Sequence, residues 1–199
     1  DTLIKETGKF LRDISLQKIV FTDSVQFRDC KIEIESMRHC SFISWFGFYD
    51  CNFPNGFSLN NCSAEADFSF WGCQSKKDVR IQHSKLYGKT GLVMLGIPSS
   101  ILHIDNCMLN ELSITWADAG RLIFKENTIK SYFEISNSEI DKQEIYRNNF
   151  APLEIDSSNR FTPLFKCTYV AIDKFLWGKN TFNIKEKYTP CFLFSNCKI

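Results

Sequence analysis

The chain has 199 residues, and its 24 basic and 23 acidic side chains leave a formal net charge of +1 at pH 7. This balance argues against a strongly acidic DNA mimic and against a non-specific nucleic-acid binder with a basic stripe. The nine cysteines are an odd number with no Cys-x-x-Cys pair, which argues against a disulfide scaffold and a zinc ribbon. We therefore expect reduced thiols in the cytoplasm, no nucleic-acid partner and no cofactor.

The first residues carry apolar side chains near a helical period: Leu3, Ile4, Phe10, Leu11 and Ile14. The open end of a repeat domain needs a cover, so we predict a short capping helix over residues 1–15. Residues 16–199 are predicted to form one repeat domain. The chain does not begin with methionine and its last apolar rung is its last residue, so we expect a fragment or a processed chain. It has no apolar run long enough to span a membrane.

A repeat begins at Val25 and is clearest up to Ser75. Five cysteines lie 10 or 11 residues apart in it, each two residues before a mostly apolar position: Cys30, Cys40, Cys51, Cys62 and Cys73. The mostly apolar positions form a ladder with steps of five or six residues: Phe27, Ile32, Met37, Phe42, Phe48, Phe53, Leu59, Ala64, Phe70, Ser75, Ile81, Leu86, Leu92 and Ile97.

The ladder continues after one step of seven across Pro98: Ile104, Leu109, Ile114, Ala119, Phe124, Ile129, Ile135, Ile140, Ile145, Phe150, Ile155 and Phe161. Looser rungs reach Ile199. An amphipathic helix repeats apolar residues at three and four, and a single strand alternates them, so neither element explains these steps. A period of roughly 21 residues is typical of a solenoid, and it predicts about eight coils and a rod on the order of 40 Å long.

The residues between the rungs predict the inside of each coil. Large apolar residues precede every second rung by two positions, as at Phe46 and Phe68, which indicates short strands with alternate side chains turned inward. The other rungs have cysteine, serine or asparagine there, and we expect these small residues near bends. Stacked asparagines would hydrogen-bond along the axis, and cysteine would fill the same site as a compact apolar residue.

The units Asp-Cys-Asn-Phe53, His-Cys-Ser-Phe42 and Asp-Cys-Lys-Ile32 resemble pentapeptide-repeat proteins. This resemblance covers roughly residues 25–161 and implies a right-handed quadrilateral β-helix. Many steps are six rather than five, however, and units such as Asn148-Asn-Phe150 look more like the coils of pectate-lyase-like β-helices. Both alternatives are all-β, right-handed parallel β-helices, and they differ in cross-section.

Two sets of residues are candidates for chemistry. Asp29 and Asp50 precede Cys30 and Cys51, so they are expected to stack one coil apart, about 4.8 Å. Such a carboxylate pair would serve acid catalysis or hold a cation. His39 and His83 are expected two coils apart, about 9.6 Å, which is too far to share a metal. We therefore predict no metal site, and catalysis only in the alternative reading with Asp29 and Asp50.

An aromatic column is the stronger candidate for binding. Its members are 21 to 23 residues apart and fall between inward positions: Arg28, Tyr49, Trp71, Val93 and Trp116, with Trp45 beside Tyr49. Exposed aromatic side chains in a line are typical of a binding surface. We predict a non-catalytic interaction or scaffold module that holds a protein partner or another copy of itself. The alternative is a carbohydrate-active β-helix in which the aromatics stack on sugar.

Five basic residues are expected around one turn: Lys76, Lys77, Arg80, Lys85 and Lys89. Because acidic residues balance the basic ones over the whole chain, we interpret this group as a solvated face.

Overall fold

The structure, a computed structural model, describes the backbone of residues 2–4, 11–12, 15–150, 165–168, 171–178, 181–182 and 192–195, and the side chains of residues 15–148. The described residues contain only strands, and their parallel sheets stack as a β-solenoid of about six turns, which confirms the predicted architecture. The predicted count of about eight coils spans residues 27–199, some of which lie outside the described part. No described residue belongs to a helix that could cross a membrane.

Short strands form the first coils: β1 (Thr2–Ile4), β2 (Leu11–Arg12), β3 (Ser15–Gln17), β4 (Val20–Phe21), β5 (Val25–Arg28), β6 (Ile32–Glu33), β7 (Ser36–Arg38), β8 (Ser41–Phe42), β9 (Phe46–Tyr49), β10 (Asn52–Phe53), β11 (Phe57–Asn60), β12 (Ser63–Ala64), β13 (Phe68–Trp71), β14 (Gln74–Ser75) and β15 (Val79–Gln82).

Longer strands dominate the later coils: β16 (Lys85–Val93), β17 (Gly96–Asp105), β18 (Met108–Thr115), β19 (Asp118–Lys125), β20 (Thr128–Ser136), β21 (Glu139–Tyr146), β22 (Asn149–Phe150), β23 (Phe165–Thr168), β24 (Ala171–Gly178), β25 (Thr181–Phe182) and β26 (Phe192–Ser195).

The early coils have four faces, as the pentapeptide-repeat resemblance implies. Face 1 stacks β5, β9 and β13; face 2 stacks β6, β10 and β14; face 3 stacks β7, β11 and β15; and face 4 stacks β4, β8 and β12. From β16 onward the strands bend around a corner. β16 pairs with β12 on face 4 and with β13 on face 1, and β17 pairs with β14 on face 2 and β15 on face 3.

The predicted capping helix over residues 1–15 is wrong for the described part of that segment. β1 pairs in parallel with β5, matching Ile4 to Phe27, and β2 pairs with β6, matching Leu11 to Ile32. The ladder of apolar positions therefore extends back to Ile4. The reason is physical: the first coil presents unpaired backbone donors and acceptors, which a strand satisfies directly and a helix does not.

The ladder positions form the core. Every described rung from Ile32 to Ile145 is buried, including the small rungs Ala64 and Ser75. Phenylalanine rings stack along the axis in the early coils; Phe48, for example, lies between Phe27 and Phe70 at centroid distances of 5.2 and 5.1 Å. The later coils bury mainly leucine and isoleucine at the same positions.

Two corners of each coil turn through a left-handed residue. On the corner between faces 1 and 2 these residues are Asp29, Asp50, Gly72, Met94, Trp116 and Asn137, with φ between 50° and 66°. On the corner between faces 3 and 4 they are Lys18, His39, Asn61, His83, Asn106, Glu126 and Arg147, with φ between 51° and 56°. Glycine, asparagine and aspartate adopt this backbone conformation most readily, which explains several of these residues but not Trp116.

At most bends the cysteine, serine or asparagine that follows the left-handed residue bonds the backbone of the neighbouring coil. Cys62 Sγ accepts the N–H of Cys40, and Asn127 Oδ1 accepts the N–H of Cys107 at 2.9 Å. Asn127 Nδ2 also donates to Asn148 Oδ1 at 3.1 Å, so the predicted asparagine stack is confirmed. These columns are therefore structural.

Candidate functional site

The corner between faces 1 and 2 carries most of the predicted site residues. The first two described residues of its left-handed column are Asp29 and Asp50. Backbone hydrogen bonds link this corner to the next coil: Asp29 N–H donates to Tyr49 O at 3.0 Å, and Asp50 N–H donates to Trp71 O at 2.8 Å. Asp29 and Asp50 are both exposed and lie one coil apart, as predicted. The residues that follow in the column are Gly72, Met94 and Trp116.

The neighbours of Asp29 and Asp50 along the corner are mostly backbone and a glycine. Gly72 occupies the next coil, and a Cβ there would overlap Asp50 Oδ1, so the carboxylate of Asp50 extends over the glycine. No group of three His, Cys, Asp or Glu side chains that could hold a metal ion occurs among the described residues. The geometry gives these aspartates a turn role and exposed negative charge.

The aromatic column is present with one change of register. Arg28 pairs with Tyr49, Tyr49 with Trp71, and Trp71 with Val93, as the spacing predicted. Val93 then pairs with Thr115. Trp116 is therefore not in line with Val93 but one residue later, in the left-handed column above Met94, whose N–H donates to Thr115 O at 2.8 Å.

The first aromatics of the column pack against the protein surface. The Trp45 and Tyr49 rings lie 5.5 Å apart, and both would contact a Cβ at Gly47, so they cover this glycine on face 1. The guanidinium carbon of Arg28 lies 4.8 Å above the Tyr49 ring, which is a cation–π distance. Trp45 and Tyr49 are half-buried as a result, so they are less accessible to a partner than the later members of the column.

The exposed part lies in the next three coils. Trp71 is 46% exposed, Met94 53% and Trp116 64%, and the half-buried Val93 lies beside Trp71. We call Trp71, Val93, Met94 and Trp116 the corner ridge. Sequence reasoning missed Met94, although it stands 22 residues after Gly72 and 22 before Trp116, and this spacing identifies the corner column.

His39 and His83 lie two coils apart, as the repeat predicted. The register that matches Arg38 to Asn60 and Asn60 to Gln82 stacks the next residues, His39, Asn61 and His83, on the corner between faces 3 and 4. They line a shallow groove of about 340 Å³ that also includes Lys85. Asn61 separates the two exposed imidazoles, so the groove offers no shared metal ligand set.

The five basic residues predicted around one turn do not meet. Lys76, Lys77 and Arg80 line one groove at the corner between faces 2 and 3. Lys85 begins β16 on face 4, and Lys89 lies at the bend from face 4 to face 1, where its N–H donates to Asp67 Oδ1 at 2.8 Å. The group is thus divided between separate sides of the rod.

None of the six cysteines whose side chains are described forms a disulfide. Five of these six side chains are buried, and Cys30 is half-buried. Burial raises the pKa of Cys62 to about 11 and that of Cys107 to about 12, so both are protonated at neutral pH, whereas a reactive cysteine needs a shift towards the thiolate. A hydrogen bond with Cys51 lowers the pKa of Cys73, but this thiol is fully buried and does not reach solvent.

Comparison of the chain with protein-family models, with curated proteins and with solved structures found no match. The resemblance to pentapeptide-repeat proteins therefore rests on the repeated units and on the four-faced coils, and it assigns no activity.

Proposed function

We propose that this chain is a non-catalytic β-helical interaction module that binds a protein partner through the corner ridge. One observation carries the proposal: two tryptophans and a methionine, each about half exposed or more, lie on three successive coils of one corner. Large exposed apolar side chains that form a contiguous patch are unfavourable in water, and tryptophan is the residue most enriched among interface hot spots.

The charges beside the ridge define the chemistry of the partner. Asp29 and Asp50 continue the same corner column toward the N-terminus, and Asp118 follows Trp116 by two residues. All three are exposed, and none forms an ion pair with a described residue. The matching partner surface is therefore apolar at its centre and basic at its edge.

A site-specific photo-crosslinker tests this proposal. Benzoylphenylalanine in place of Trp116 is expected to form an adduct with a second protein in source-cell lysate, and Trp71→Ser in the same chain is expected to abolish the adduct. The matched control carries the crosslinker at Tyr87, which is also exposed but lies on the bend from face 4 to face 1. This control is expected to give no such adduct.

Four results would contradict the proposal. Equal adducts at positions 116 and 87 would indicate non-specific contact, and the absence of any adduct would remove the ridge as a binding surface. An adduct between two copies of this chain, together with a dimer mass in light scattering, would replace the protein partner with self-association. Loss of folding in Trp71→Ser, seen by circular dichroism, would assign that tryptophan a structural role.

The alternative carbohydrate-active function stays a prediction that depends on Asp29 and Asp50. Polysaccharide cleavage that is lost in Asp50→Asn would support it, and unchanged cleavage would exclude this pair as its site. We also propose a cytoplasmic location, which is supported by the free, buried thiols of the corner columns. Alkylation and mass spectrometry of the chain from its source cells would test whether these thiols are reduced in the cell.

A further inference from the structure

A polar groove crosses the opposite corner of face 2, between faces 2 and 3. A concavity of about 510 Å³ on face 2 and one of about 440 Å³ on face 3 share Lys76 and Ser100 in their walls, so they adjoin at the corner. The cause lies in the longest bend of the ladder. Pro98, Ser99 and Ser100 occupy a register shift between Ile97 and Ile101, which makes this coil wider than its neighbour.

Buried serines hold the turn that carries the two lysines of the groove. Ser75 Oγ accepts the N–H of Lys77 at 3.2 Å and lies 2.8 Å from two acceptors for its proton, the carbonyls of Lys77 and Phe53. Ser100 Oγ donates to the carbonyl of Lys76 at 3.0 Å. Ser75 and Ser100 are both buried. The backbone of the turn is thus fixed while both lysine side chains remain exposed, which lowers the entropic cost of binding at this turn.

The two lysine ammonium groups form no ion pair with a described residue, although the groove as a whole is lined by as many acidic as basic side chains. Asp78 does not neutralise them, because its Oδ2 binds Arg80 at 2.7 Å and its Oδ1 accepts the N–H of Ile101 at 3.1 Å. No described carboxylate lies within ion-pair distance of Lys76 or Lys77. Two neighbouring ammonium groups without counter-ions attract an anionic ligand.

The part of the groove on face 2, which we call its arm on that face, is lined by the side-chain amides of Asn52 and Gln74. The register matches Asn52 to Gln74 and Gln74 to Gly96, so two exposed side-chain amides lie next to a position without a side chain. Asp118 follows on the next coil. Side-chain amides both donate and accept hydrogen bonds, which is the pattern that the backbone of an extended peptide presents.

We propose that this groove binds an acidic segment of a peptide chain, with carboxylates at Lys76 and Lys77 and the peptide backbone along Asn52 and Gln74. The site adjoins the corner ridge at Asp118, but its lysines lie at the opposite corner of face 2, and it does not depend on the function proposed for the ridge. A nucleic acid fits less well, because Glu35 and Asp118 line the two arms and repel a continuous polyanion. A sugar chain fits less well because the only aromatic ring in the lining, Phe57, is buried.

Fluorescence anisotropy with a labelled peptide that carries two adjacent glutamates at one end and neutral residues along the rest tests the proposal. The wild type is expected to bind it, and Lys76→Gln/Lys77→Gln is expected to weaken binding by about tenfold. The chain offers a matched control in Lys85→Gln/Lys89→Gln, which removes the same charge from other sides of the rod. This control is expected to change the affinity by less than about twofold.

A steric variant tests whether the ligand is an extended peptide. A Cβ at Gly96 has its nearest neighbour at 3.7 Å, so Gly96→Gln is expected to fold normally and to fill the arm on face 2. If the peptide follows that arm, Gly96→Gln weakens binding by about tenfold as well. Unchanged binding would restrict the ligand to a small anion at the lysines, and the proposal would be wrong.

Other outcomes overturn the proposal directly. They are equal losses in both lysine variants, no binding by the wild type, or stronger binding of labelled oligothymidylate or a heparin fragment than of the glutamate peptide. A glutamine version of the probe peptide is expected not to bind. Because every substitution lies away from Trp71 and Trp116, failure here leaves the test of the corner ridge unaffected.

Discussion

Between Val25 and Gln82 each coil uses four strands of two to four residues, whereas between Lys85 and Tyr146 each coil uses two strands of eight to ten. The left-handed corners occur in both regions, so these corners do not account for the difference. What changes is the other pair of corners, which are loops in the early coils and lie inside single long strands in the later ones, with register shifts at the bends of β16, β17 and β18. A coil therefore has two corners that turn through a left-handed residue and two whose backbone differs between the two regions.

The two regions also fill their interiors differently. Phenylalanine rings pack on one another in the early coils, and the ring of Phe48 is surrounded by those of its own coil and both neighbours: Phe27, Phe46, Phe53, Phe57 and Phe70. In the later coils Phe124 has one described ring neighbour, Phe133, at 4.5 Å. The early region thus depends more on side-chain packing, and the later region more on backbone pairing.

Removal of one buried phenylalanine ring from each region is expected to give the largest change in the free energy of unfolding. Phe48→Ala is expected to destabilise the fold by about 3 to 5 kcal/mol through lost burial and a cavity. Phe124→Ala is expected to lose about 1 kcal/mol less, because fewer ring contacts disappear. Guanidinium unfolding measures both, and hydrogen exchange locates the loss, which neighbouring coils share in a solenoid. Equal losses would show that the aromatic stack adds nothing beyond buried area.

Gly88 lies at the bend inside β16, and its substitution tests how closely the backbones of neighbouring coils must approach there. A Cβ at Gly88 would overlap the backbone carbonyl of Ala66, whereas a Cβ at Gly91 in the same strand has 3.8 Å to its nearest neighbour. Gly88→Ala is therefore expected to cost about 2 to 3 kcal/mol by separating the two coils. Gly91→Ala is expected to change stability by less than about 1 kcal/mol. A tolerated Gly88→Ala would mean that close approach of the coils is unnecessary at this corner.

The sequence predicted the features that depend on a constant period. The apolar ladder, the small-residue columns at the bends and the stacking of Asp29 on Asp50 are all confirmed, because each follows from about 22 residues per coil. The same period placed Arg28, Tyr49 and Trp71 correctly in one outward column.

The backbone at the corners was only partly predictable from the ladder. The step of seven marks the wider bend at Pro98, but the ladder does not show whether a corner is a loop or lies within a strand, so the long strands were missed. Trp116 lies one residue beyond the partner of Val93, in the left-handed column. Lys85 and Lys89 lie on face 4 and at the next bend, where the chain has already left the groove. Burial of Gln143 was also not predicted. This polar residue is fully buried at the position where Leu122 lies one coil earlier.

The small residues at the bends can be exchanged between the two regions, because Cys62 in the early coils and Asn127 in the later coils occupy equivalent positions. Asn127→Ala removes the partners of Cys107 N–H and Ile104 O, and it is expected to cost about 2 kcal/mol. Cys62→Ala in the early coils removes only weaker sulfur contacts, and it is expected to cost about 1 kcal/mol. Asn127→Cys is expected to recover part of the loss in thermal unfolding. If Asn127→Cys is no better than Asn127→Ala, the two residues are not interchangeable at the bend.

Acid is expected to weaken the later coils selectively, by a small amount. Glu144 is buried on face 3 between Arg121 and Lys142, at 2.6 and 2.8 Å. Burial alone raises the pKa of Glu144, but hydrogen bonds from Lys142 and Arg121 outweigh it and hold the pKa below the ordinary 4.5. A pKa lower in the folded than in the unfolded state means that the carboxylate stabilises the fold above the unfolded value. That contribution disappears as pH falls through the folded pKa.

The matched comparison is Glu144→Gln against Glu35→Gln, since Glu35 is exposed on an early coil and has no ion pair within the described residues. At about pH 7, Glu144→Gln is expected to be less stable than the wild type by about 1 kcal/mol, and this gap closes towards about pH 3. Glu35→Gln is expected to match the wild type at both values. A gap for Glu144→Gln that stays constant with pH would assign the loss to packing, because a contribution from the ionised carboxylate disappears when that carboxylate is protonated.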